Sequence, residues 1–227
     1  MSIKKIAIAI DGPAGAGKSS ISKVVANQLQ YLYIDTGAMY RAVTWAVLHE
    51  HLDVHNQQAV ERLLPSLDLS MEATDTGCRV YIKGKDITEF IRQPKINDNV
   101  SIVASYKGVR QYLVERQQAM AAVGGVILDG RDIGSVVLPK AELKIYLTAS
   151  VEARAKRRWL EVQGTPNELS LEAIQRSVTE RDEMDKNRKE SPLVQVVDAI
   201  LVDSSDMTFD ETVAHILSLV EERVNCE

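Results

Sequence analysis

The chain has 227 residues, of which 45% are hydrophobic and 26% charged, and its formal net charge at pH 7 is -5. This length suits one compact domain with a small insertion, and the apolar fraction is large enough for a core, which excludes a largely disordered chain. A chain with an acidic balance is a poor general binder of nucleic acids or membrane surfaces, so we expect neither as a partner. Cys78 and Cys226 lack the spacing of zinc ligands, so we expect no zinc site. No apolar stretch has the length of a signal or membrane-spanning segment, so we expect a cytoplasmic location.

Strand-like apolar runs alternate with helical patterns along most of the chain. In chain order the sequence predicts strand 3–10, helix 18–29, strand 31–34, helix 38–52, a hairpin over 67–82, helix 94–105, helix 109–123, strand 126–128, strand 143–147, helix 151–163, helix 171–187, strand 199–202 and helix 209–224. This alternation predicts a doubly wound α/β core with a parallel sheet flanked by helices, in which ligands bind at the carboxyl ends of the strands.

The pattern changes between the second helix and residue 105. Residues 67–71 and 78–82 alternate apolar and polar side chains around a turn at Asp75-Thr76-Gly77, which is typical of a β-hairpin. Small antiparallel strands within a β-α pattern predict an inserted subdomain at 63–105. Residues 1–62 and 106–227 then form the core.

Residues 12–19 match the phosphate-binding pattern G-x-x-x-x-G-K-[ST] at every fixed position. Glycines let the backbone approach phosphate oxygens closely, and the loop amides point at the anion. Lys18 supplies a cation for the β- and γ-phosphates, and Ser19 offers a hydroxyl to Mg²⁺. A chance glycine-rich turn is the alternative, against which the predicted strand–loop–helix context argues. The residues expected to bind ATP are Gly12, Pro13, Ala14, Gly15, Ala16, Gly17, Lys18, Ser19 and Ser20.

Two polar segments also follow predicted core strands and should lie beside the phosphate-binding loop at residues 12–19, the P-loop. Asp129 stands where a Walker-B carboxylate would hold Mg²⁺, directly or through water, and is followed closely by Arg131 and Asp132. The other segment begins at Asp35, and its Arg41, one turn into the next helix, is within reach of an acceptor phosphate. The alternatives are an ordinary charged loop for the first segment and a helix N-cap with a surface arginine for the second.

Two later helices carry stripes of charged side chains. The first stripe comprises Arg154, Arg157 and Arg158, and the second comprises Arg181, Asp185 and Arg188. The first favours a lid, at about 153–168, that closes over ATP phosphates, with pairing to nearby glutamates as the alternative. The second by itself favours an ordinary salt-bridge ladder along one helix.

The excess of arginines near the predicted site indicates what kind of acceptor it takes. A kinase that acts on an alcohol usually needs a carboxylate base, whereas a phosphate acceptor is already anionic and needs cations to screen two polyanions. The base-reading and switch motifs expected of a GTPase are not found in the sequence. The arginines near the predicted site therefore favour a kinase whose acceptor is a nucleoside monophosphate.

Four segments together resemble the bacterial cytidylate kinases: IDGPAGAGKSS at 10–20, DTGAMYRA at 35–42, ILDGRDIGSVVLP at 127–139 and RDEMDKNR at 181–188. The resemblance implies a P-loop nucleoside-monophosphate-kinase core with an NMP-binding insert and a short lid. It further implies transfer of the γ-phosphate of ATP to CMP or dCMP with Mg²⁺, by a protein expected to be a monomer. A kinase for UMP, AMP or shikimate, and a nucleotide binder without catalysis, are the alternatives.

The same resemblance implies individual roles and overrides the salt-bridge ladder. The implied CMP-binding residues are Thr36, Arg41, Ser101, Arg110, Arg131, Asp132, Arg181 and Asp185. Within this set Ser101, Arg110 and Asp132 would read the cytosine. Thr36, Arg41 and Arg131 would hold the CMP phosphate, and Arg181 and Asp185 would bind the ribose. The implied catalytic residues are Lys18, Arg131, Arg157, Arg158 and Arg188, and the implied metal ligands are Ser19 and Asp129.

Overall fold

The computed structural model describes residues 5–74, 77–165 and 168–225. In chain order its strands and helices are β1 (Ala7–Asp11), α1 (Lys18–Leu29), β2 (Leu32–Asp35), α2 (Thr36–His49), α3 (Gln57–Leu63), β3 (Leu69–Thr74), β4 (Gly77–Ile82), β5 (Lys85–Asp86), α4 (Pro94–Val103), α5 (Lys107–Ala121), β6 (Val126–Gly130), β7 (Leu143–Thr148), α6 (Val151–Val162), α7 (Leu171–Asn187), β8 (Ile200–Asp203) and α8 (Phe209–Asn225). Short 3₁₀ turns lie at Leu64–Ser66 and Phe90–Arg92, and a π-helical turn lies at Ile133–Val137.

Five strands form the central sheet in the order β2-β6-β1-β7-β8, and all neighbours in it are parallel. The register pairs both Ile10 and Asp35 with Asp129, so the carboxyl ends of β1, β2 and β6 lie side by side. The loops that leave these ends therefore converge at one edge of the sheet. This architecture confirms the predicted α/β fold.

Side chains on the two faces of the sheet enter different apolar clusters. On β1, Ile8 and Ile10 pack in a cluster with residues of α1 and α8, whereas Ala9 faces a cluster with residues of α2 and α5. Alternate residues of a strand point to opposite faces, and helices cover both faces, so β1 is apolar throughout. Among the described residues, none of the helices is both long and apolar enough to cross a membrane.

The second sheet is small and antiparallel, in the order β3-β4-β5. Its hairpin pairs Leu69 with Ile82 and Thr74 with Gly77, which confirms the predicted hairpin, while the turn residues 75–76 lie outside the described part of the chain. Val80 and Ile82 of β4 belong to the same apolar cluster as α2, so this sheet packs directly on the helix that leaves β2.

Helices α6 and α7 pack on each other around an apolar cluster of their own. Its buried members are Ala155, Val162, Ile174 and Val178, with Val151 and Trp159 packed against them. The cluster is separate from the two clusters that flank the central sheet. Polar contacts are therefore important for fixing this helix pair relative to the rest of the protein.

The boundaries predicted from the pattern differ from the structure where local backbone chemistry decides them. The second helix begins at Thr36 because the carboxylate of Asp35 accepts a hydrogen bond from the amide of Ala38, and it ends at His49, shortly before His51 takes a left-handed φ of 56°. Five short elements were not predicted: α3, β5, the two 3₁₀ turns and the π-helical turn. None is long enough to develop a periodic pattern.

Candidate active site

The P-loop connects β1 to α1 and curls around its own lysine. A Cβ at Gly12 would lie 1.9 Å from the carbonyl oxygen of Leu147, so only glycine fits there. Gly17 caps α1 with a φ of 84°, a left-handed conformation that favours glycine. The ammonium of Lys18 donates hydrogen bonds to the carbonyl oxygens of Gly12 and Pro13, at 2.7 Å each. The loop thus has the tight glycine-dependent conformation that the motif predicts, and its binding of phosphate stays a prediction.

Lys18 is an almost fully buried cation. Burial lowers the pKa of Lys18 well below its ordinary value, and repulsion from Arg131 lowers it further, against the attraction of Asp129, Asp185 and Asp11. A bound polyphosphate would bring negative charge to this ammonium. Nucleotide binding should therefore stabilise the charged form of the lysine.

Asp129 and Ser19 form a compact set of oxygen atoms next to the P-loop. The Ser19 hydroxyl donates to Oδ2 of Asp129 at 2.7 Å, and the Tyr33 hydroxyl donates to Oδ1 at 2.8 Å. Burial raises the pKa of Asp129, and the neighbouring Asp35 carboxylate raises it further. The hydroxyl and carboxylate oxygens of Ser19 and Asp129 suit a hard divalent cation.

The protein alone offers few ligands to such a cation. In the described part of the chain, no group of three or more His, Cys, Asp or Glu side chains is arranged to hold a metal ion. The Ser19–Asp129 pair fits a cation that keeps waters and takes further oxygens from a bound phosphate, as small hard cations commonly do.

The start of α2 combines a helix cap with an arginine. Asp35 caps the helix and also accepts a hydrogen bond from Arg41 at 2.9 Å. Burial alone would raise the pKa of Asp35, but Arg41 and the Ala38 amide lower it below its ordinary value. The Thr36 hydroxyl donates to the Asp129 carbonyl oxygen at 2.7 Å. The N-cap alternative is correct for Asp35, yet the same cap holds Arg41 at the edge of the cleft.

Asp132 and Arg110 form a buried ion pair at the far end of the cleft. Their side chains are each 5% exposed, and the Arg110 guanidinium also donates to the Ala104 carbonyl oxygen at 3.0 Å. Arg188 approaches Asp132 to 3.7 Å, and the Arg110 guanidinium lies 5.2 Å from the ring centroid of Tyr40. This arrangement fixes donors and acceptors that could read the edge of a planar polar ligand.

The loop that carries Asp132 is anchored to the end of β1. Asp11 accepts hydrogen bonds from the amides of Ile133 and Gly134, at 2.8 and 2.7 Å. Burial raises the pKa of Asp11 to about 6, although both amides act in the opposite direction. The carboxylate thus ties the residue before the P-loop to the turn that follows Asp132.

Arg131 connects the β6 loop to α7. Its guanidinium donates to Asp185 at 2.7 Å. Burial alone would raise the pKa of Asp185, but Arg131, together with Arg181 and Arg188, lowers it. Burial and repulsion from Arg131 lower the pKa of Arg181 to about 10. The stripe on α7 is therefore not a ladder within one helix, because its carboxylate pairs mainly with an arginine from another loop.

The three arginines of α6 have different surroundings. Arg154 is buried and its guanidinium is used entirely in contacts with protein, so the expectation that it faces ATP phosphates is wrong. Arg157 donates to the hydroxyl of Ser204 at 3.2 Å and lines the cleft. Arg158 is exposed and pairs with Glu161 at 2.8 Å, which is the alternative foreseen for it, and its catalytic role stays a prediction.

An open cleft of about 300 Å³ brings most of the predicted residues together. Those that line it are Ala14, Gly15, Gly17, Lys18, Ser19, Ser20, Thr36, Arg41, Ser101, Arg110, Asp129, Arg131, Asp132, Arg157, Arg181, Asp185 and Arg188. The remaining predicted residues, Gly12, Pro13, Ala16 and Arg158, do not line the cleft.

Several buried polar atoms around the cleft have no hydrogen-bond partner within the described residues. They are the Tyr40 hydroxyl, Nε of Arg41, Arg110 and Arg181, and one terminal nitrogen of Arg188. Buried polar groups are nearly always paired, and a cluster of unpaired donors in one cleft is expected where a polar ligand binds. The four arginines favour an anionic ligand.

A family model described as Cytidylate kinase matches residues 8–222 of this chain. The Cytidylate kinase of Ligilactobacillus salivarius (strain UCC118) is 47% identical over 221 residues, which cover 97% of this chain and 99% of that protein. The Cytidylate kinase of Bacillus subtilis (strain 168) is 44% identical over 220 residues, which cover 97% of this chain and 98% of that protein. The chain belongs to the cytidylate kinase family.

Membership in this family confirms the resemblance drawn from the sequence. The protein is an ATP-dependent nucleoside monophosphate kinase, that is, a phosphotransferase, and the family implies nucleotide substrates and a metal-ion cofactor. A solved structure of an uncharacterized protein from Eubacterium ventriosum ATCC 27560 aligns with a TM-score of 0.52 and 13% identity, over 96% of this chain and 99% of that chain. Likeness at this identity supports the α/β fold alone.

The sequence patterns did not single out three residues in or behind this cleft: Tyr40, Asp11 and Tyr33. Tyr40 lines the cleft and lies directly before Arg41, so the DTGAMYRA segment contained a signal for it. Asp11 and Tyr33 lie behind the cleft, where they orient the β6 loop and Asp129. Neither has a local sequence signal, because its partner lies about a hundred residues away along the chain.

Proposed function

We propose that the protein transfers the γ-phosphoryl group of ATP to CMP or dCMP, giving ADP and CDP or dCDP. The observation that carries this proposal is the single cleft in which the P-loop, the Asp132–Arg110 pair and the unpaired arginine nitrogens meet. In it the loop that we propose for the ATP phosphates lies close to a cluster of arginines and to the pair that we propose for the base. The family of the chain supports the same reaction.

On the donor side, residues 12–20 would hold the ATP phosphates with their backbone amides. Lys18 now bonds two carbonyl oxygens of its own loop, and it would exchange them for β- and γ-phosphate oxygens. Ser19 and Asp129 would hold Mg²⁺, directly or through water, and the cation would neutralise charge on the β- and γ-oxygens. The oxygen-only donor set supports Mg²⁺ over a softer metal.

On the acceptor side, Thr36, Arg41 and Arg131 would hold the CMP phosphate. Asp132 would accept from the cytosine amino group, as a carboxylate can, while Arg110 and Ser101 would contact the rest of the base edge. The remaining acceptor residue, Asp185, would bind the ribose together with Arg181.

The transfer itself needs no general base, because the attacking phosphate oxygen is already anionic. A bond forms between that oxygen and the γ-phosphorus while the bond from the γ-phosphorus to the β–γ bridging oxygen breaks, and ADP leaves with the electron pair. Arg131, Arg157, Arg158 and Arg188, with Lys18, would neutralise the charge that is spread over the transferring group.

The remaining assignments belong to the same proposal. Residues 63–105 would form the NMP-binding unit, and residues 1–62 and 106–227 the core, with a lid at about 153–168. The three-stranded sheet and α4, which brings Ser101 to the cleft, support this division. We further propose a monomer that works in the cytoplasm.

The test is an ADP-release assay with ATP and a panel of acceptors: CMP, dCMP, UMP, AMP and shikimate. The proposal expects the highest kcat/KM with CMP or dCMP, and no activity without a divalent cation. Higher kcat/KM for AMP or shikimate would contradict it. ATP consumption that does not depend on an acceptor would contradict transfer altogether.

A further inference from the structure

Arg154 has the most saturated set of contacts of the arginines around the site, although it does not line the cleft. Its Nε donates to the Ala149 carbonyl oxygen at 2.9 Å. One terminal nitrogen donates both to the Ala14 carbonyl oxygen at 2.8 Å and to Asp182 at 3.1 Å, and the other donates to Asp182 at 2.6 Å. The guanidinium and the carboxylate thus form a two-pronged pair whose side chains are 4% and 8% exposed.

These contacts join three parts of the protein. Ala14 lies in the tip of the P-loop, Arg154 on α6 and Asp182 on α7. A Cβ built on Gly15 would lie 3.4 Å from the Cβ of Arg154, so the tip of the P-loop also packs against this side chain. The apolar cluster between α6 and α7 does not extend into the central core. The Arg154–Asp182 pair is therefore a principal link between this helix pair and the P-loop.

Asp182 lies on α7 close to the residues of this helix that we propose to bind the acceptor. The preceding residue is Arg181, and Asp185 lies one turn further along α7, where it pairs with Arg131. A displacement of the P-loop tip that reaches Asp182 through Arg154 must also move these two residues, because a helix moves as a rigid element. The P-loop and the acceptor residues of α7 are in this way connected by a chain of direct contacts.

We propose that the Arg154–Asp182 pair is a positioning element that couples occupancy of the ATP site to affinity at the CMP site. The inference rests on the proposed function, which assigns those two sites. Neither side chain needs to touch a substrate. Arg154 holds the Ala14 carbonyl while Asp182 holds Arg154, so the P-loop and α7 keep one relative position when both substrates bind. By reciprocity, CMP must affect ATP affinity by the same factor.

The first test is Asp182→Asn, with Glu180→Gln as the matched control. Both substitutions change a carboxylate to an amide on α7, but Glu180 is exposed and forms no contact that the argument uses. The measurement is the Kd of CMP, by calorimetry, without and with a non-hydrolysable ATP analogue. For the wild type and Glu180→Gln, we expect the analogue to tighten CMP binding by a factor in the range of about 5–150. For Asp182→Asn, we expect that factor to fall towards one.

A turnover assay gives the second readout. We expect kcat of Asp182→Asn to fall roughly tenfold or more, since misplacement by a fraction of an ångström is costly in transfer reactions. An unchanged coupling factor in a folded Asp182→Asn protein would overturn the proposal. A weakened ATP site with unchanged coupling to CMP would also overturn it, since the pair would then only support the P-loop.

If Asp182→Asn does not fold, Arg154→Lys takes its place. The ammonium keeps the charge beside Asp182 but cannot bond Ala14, Ala149 and both carboxylate oxygens together. Partial coupling is the expected result, and full coupling would contradict the proposal. Wild-type turnover of CMP separates the two levels of inference: if it is absent, the proposed function fails, whereas turnover with unaltered coupling in both variants rejects only the role of the pair.

Discussion

Asp11 provides a test of how the β6 loop is anchored, because its carboxylate is buried yet receives only two amide hydrogen bonds. We consider the substitution Asp11→Asn. The amide of asparagine has nearly the same shape, keeps one acceptor oxygen and cannot ionise. It loses the second hydrogen bond and places a donor near a backbone N–H, which costs about 1–3 kcal/mol at any pH.

The pH-dependent part of the difference in unfolding free energy follows from the pKa of Asp11, which burial raises from an ordinary 3.8 to about 6. A raised pKa means that the native state binds the proton more tightly than the unfolded state. Asp11 therefore contributes stability that is fully present below about pH 4 and is lost as the pH rises through about 6. The complete loss is about 3 kcal/mol, from about 1.4 kcal/mol for each pKa unit. Between about pH 5 and about pH 7.5 roughly 1 kcal/mol of it is lost.

The assay is urea unfolding of the wild type and of Asp11→Asn at about pH 5 and about pH 7.5. The free energy of unfolding of the wild type should fall by roughly 1 kcal/mol relative to the variant between the lower and the higher pH. Asp198→Asn is the control, because Asp198 is largely exposed and its hydrogen bond to Lys144 lowers its pKa. It is ionised in both states over this range, so its difference from the wild type should stay constant.

Parallel pH profiles for the wild type and Asp11→Asn would refute the reasoning. They would mean that the carboxylate is solvated or that the two amides compensate fully for its burial. A difference that changes in the opposite direction would mean that the folded state stabilises the ionised form, as a nearby cation such as Lys18 would do.

Three further predictions concern the cleft. Lys18→Ala should leave the unfolding midpoint close to that of the wild type, because the removed charge is buried. It should lower kcat roughly 10²–10³-fold in the ADP-release assay. Near-normal turnover would reject the proposed role of Lys18. Ser19→Ala should raise the Mg²⁺ concentration needed for half-maximal activity, and an unchanged Mg²⁺ titration would remove it from the metal site. Asp132→Ala should lower the free energy of unfolding by about 3–5 kcal/mol, because it leaves Arg110 without its ion-pair partner. The double change Arg110→Met with Asp132→Ala should lower it by less than the sum of the two single changes, as measured by urea unfolding. Asp132→Ala should also reduce kcat/KM for CMP more than for UMP, and equal losses would argue against base recognition.

The sequence allowed much of this fold to be predicted because its core elements have local signals. Helix α1 starts at Lys18 and α7 ends at Asn187, as predicted, since a P-loop fixes the first boundary and a long amphipathic pattern fixes the second. The short elements α3 and β5 could not be predicted in this way. Helix α3 has one buried side chain, Val60, and β5 is an exposed strand set by its pairing with β4, so neither seven nor two residues carry a periodic pattern.

For the candidate site, the sequence indicated residue types better than it indicated partners. The three arginines of α6 share a helical face by spacing alone, but only tertiary contacts show that Arg154 is enclosed by protein while Arg157 faces the cleft. Likewise, Asp185 was expected beside Arg181 and Arg188 on one stripe, yet its hydrogen bond is to Arg131, which lies more than fifty residues earlier in the chain. Spacing along a helix cannot show which distant loop supplies the partner.

The pairing of carboxylates with arginines also explains why a site for two polyanions contains so many acidic residues. Asp35 pairs with Arg41, and Asp185 pairs with Arg131, so guanidiniums from two different elements are each held by one carboxylate. Without these partners the cations would repel one another and would have to be ordered when substrate arrives, at a cost in free energy. With them the cations are held in place, while unpaired nitrogens such as Nε of Arg41 remain available. A preorganised set of donors of this kind stabilises a transferring phosphoryl group without reorganising during the reaction.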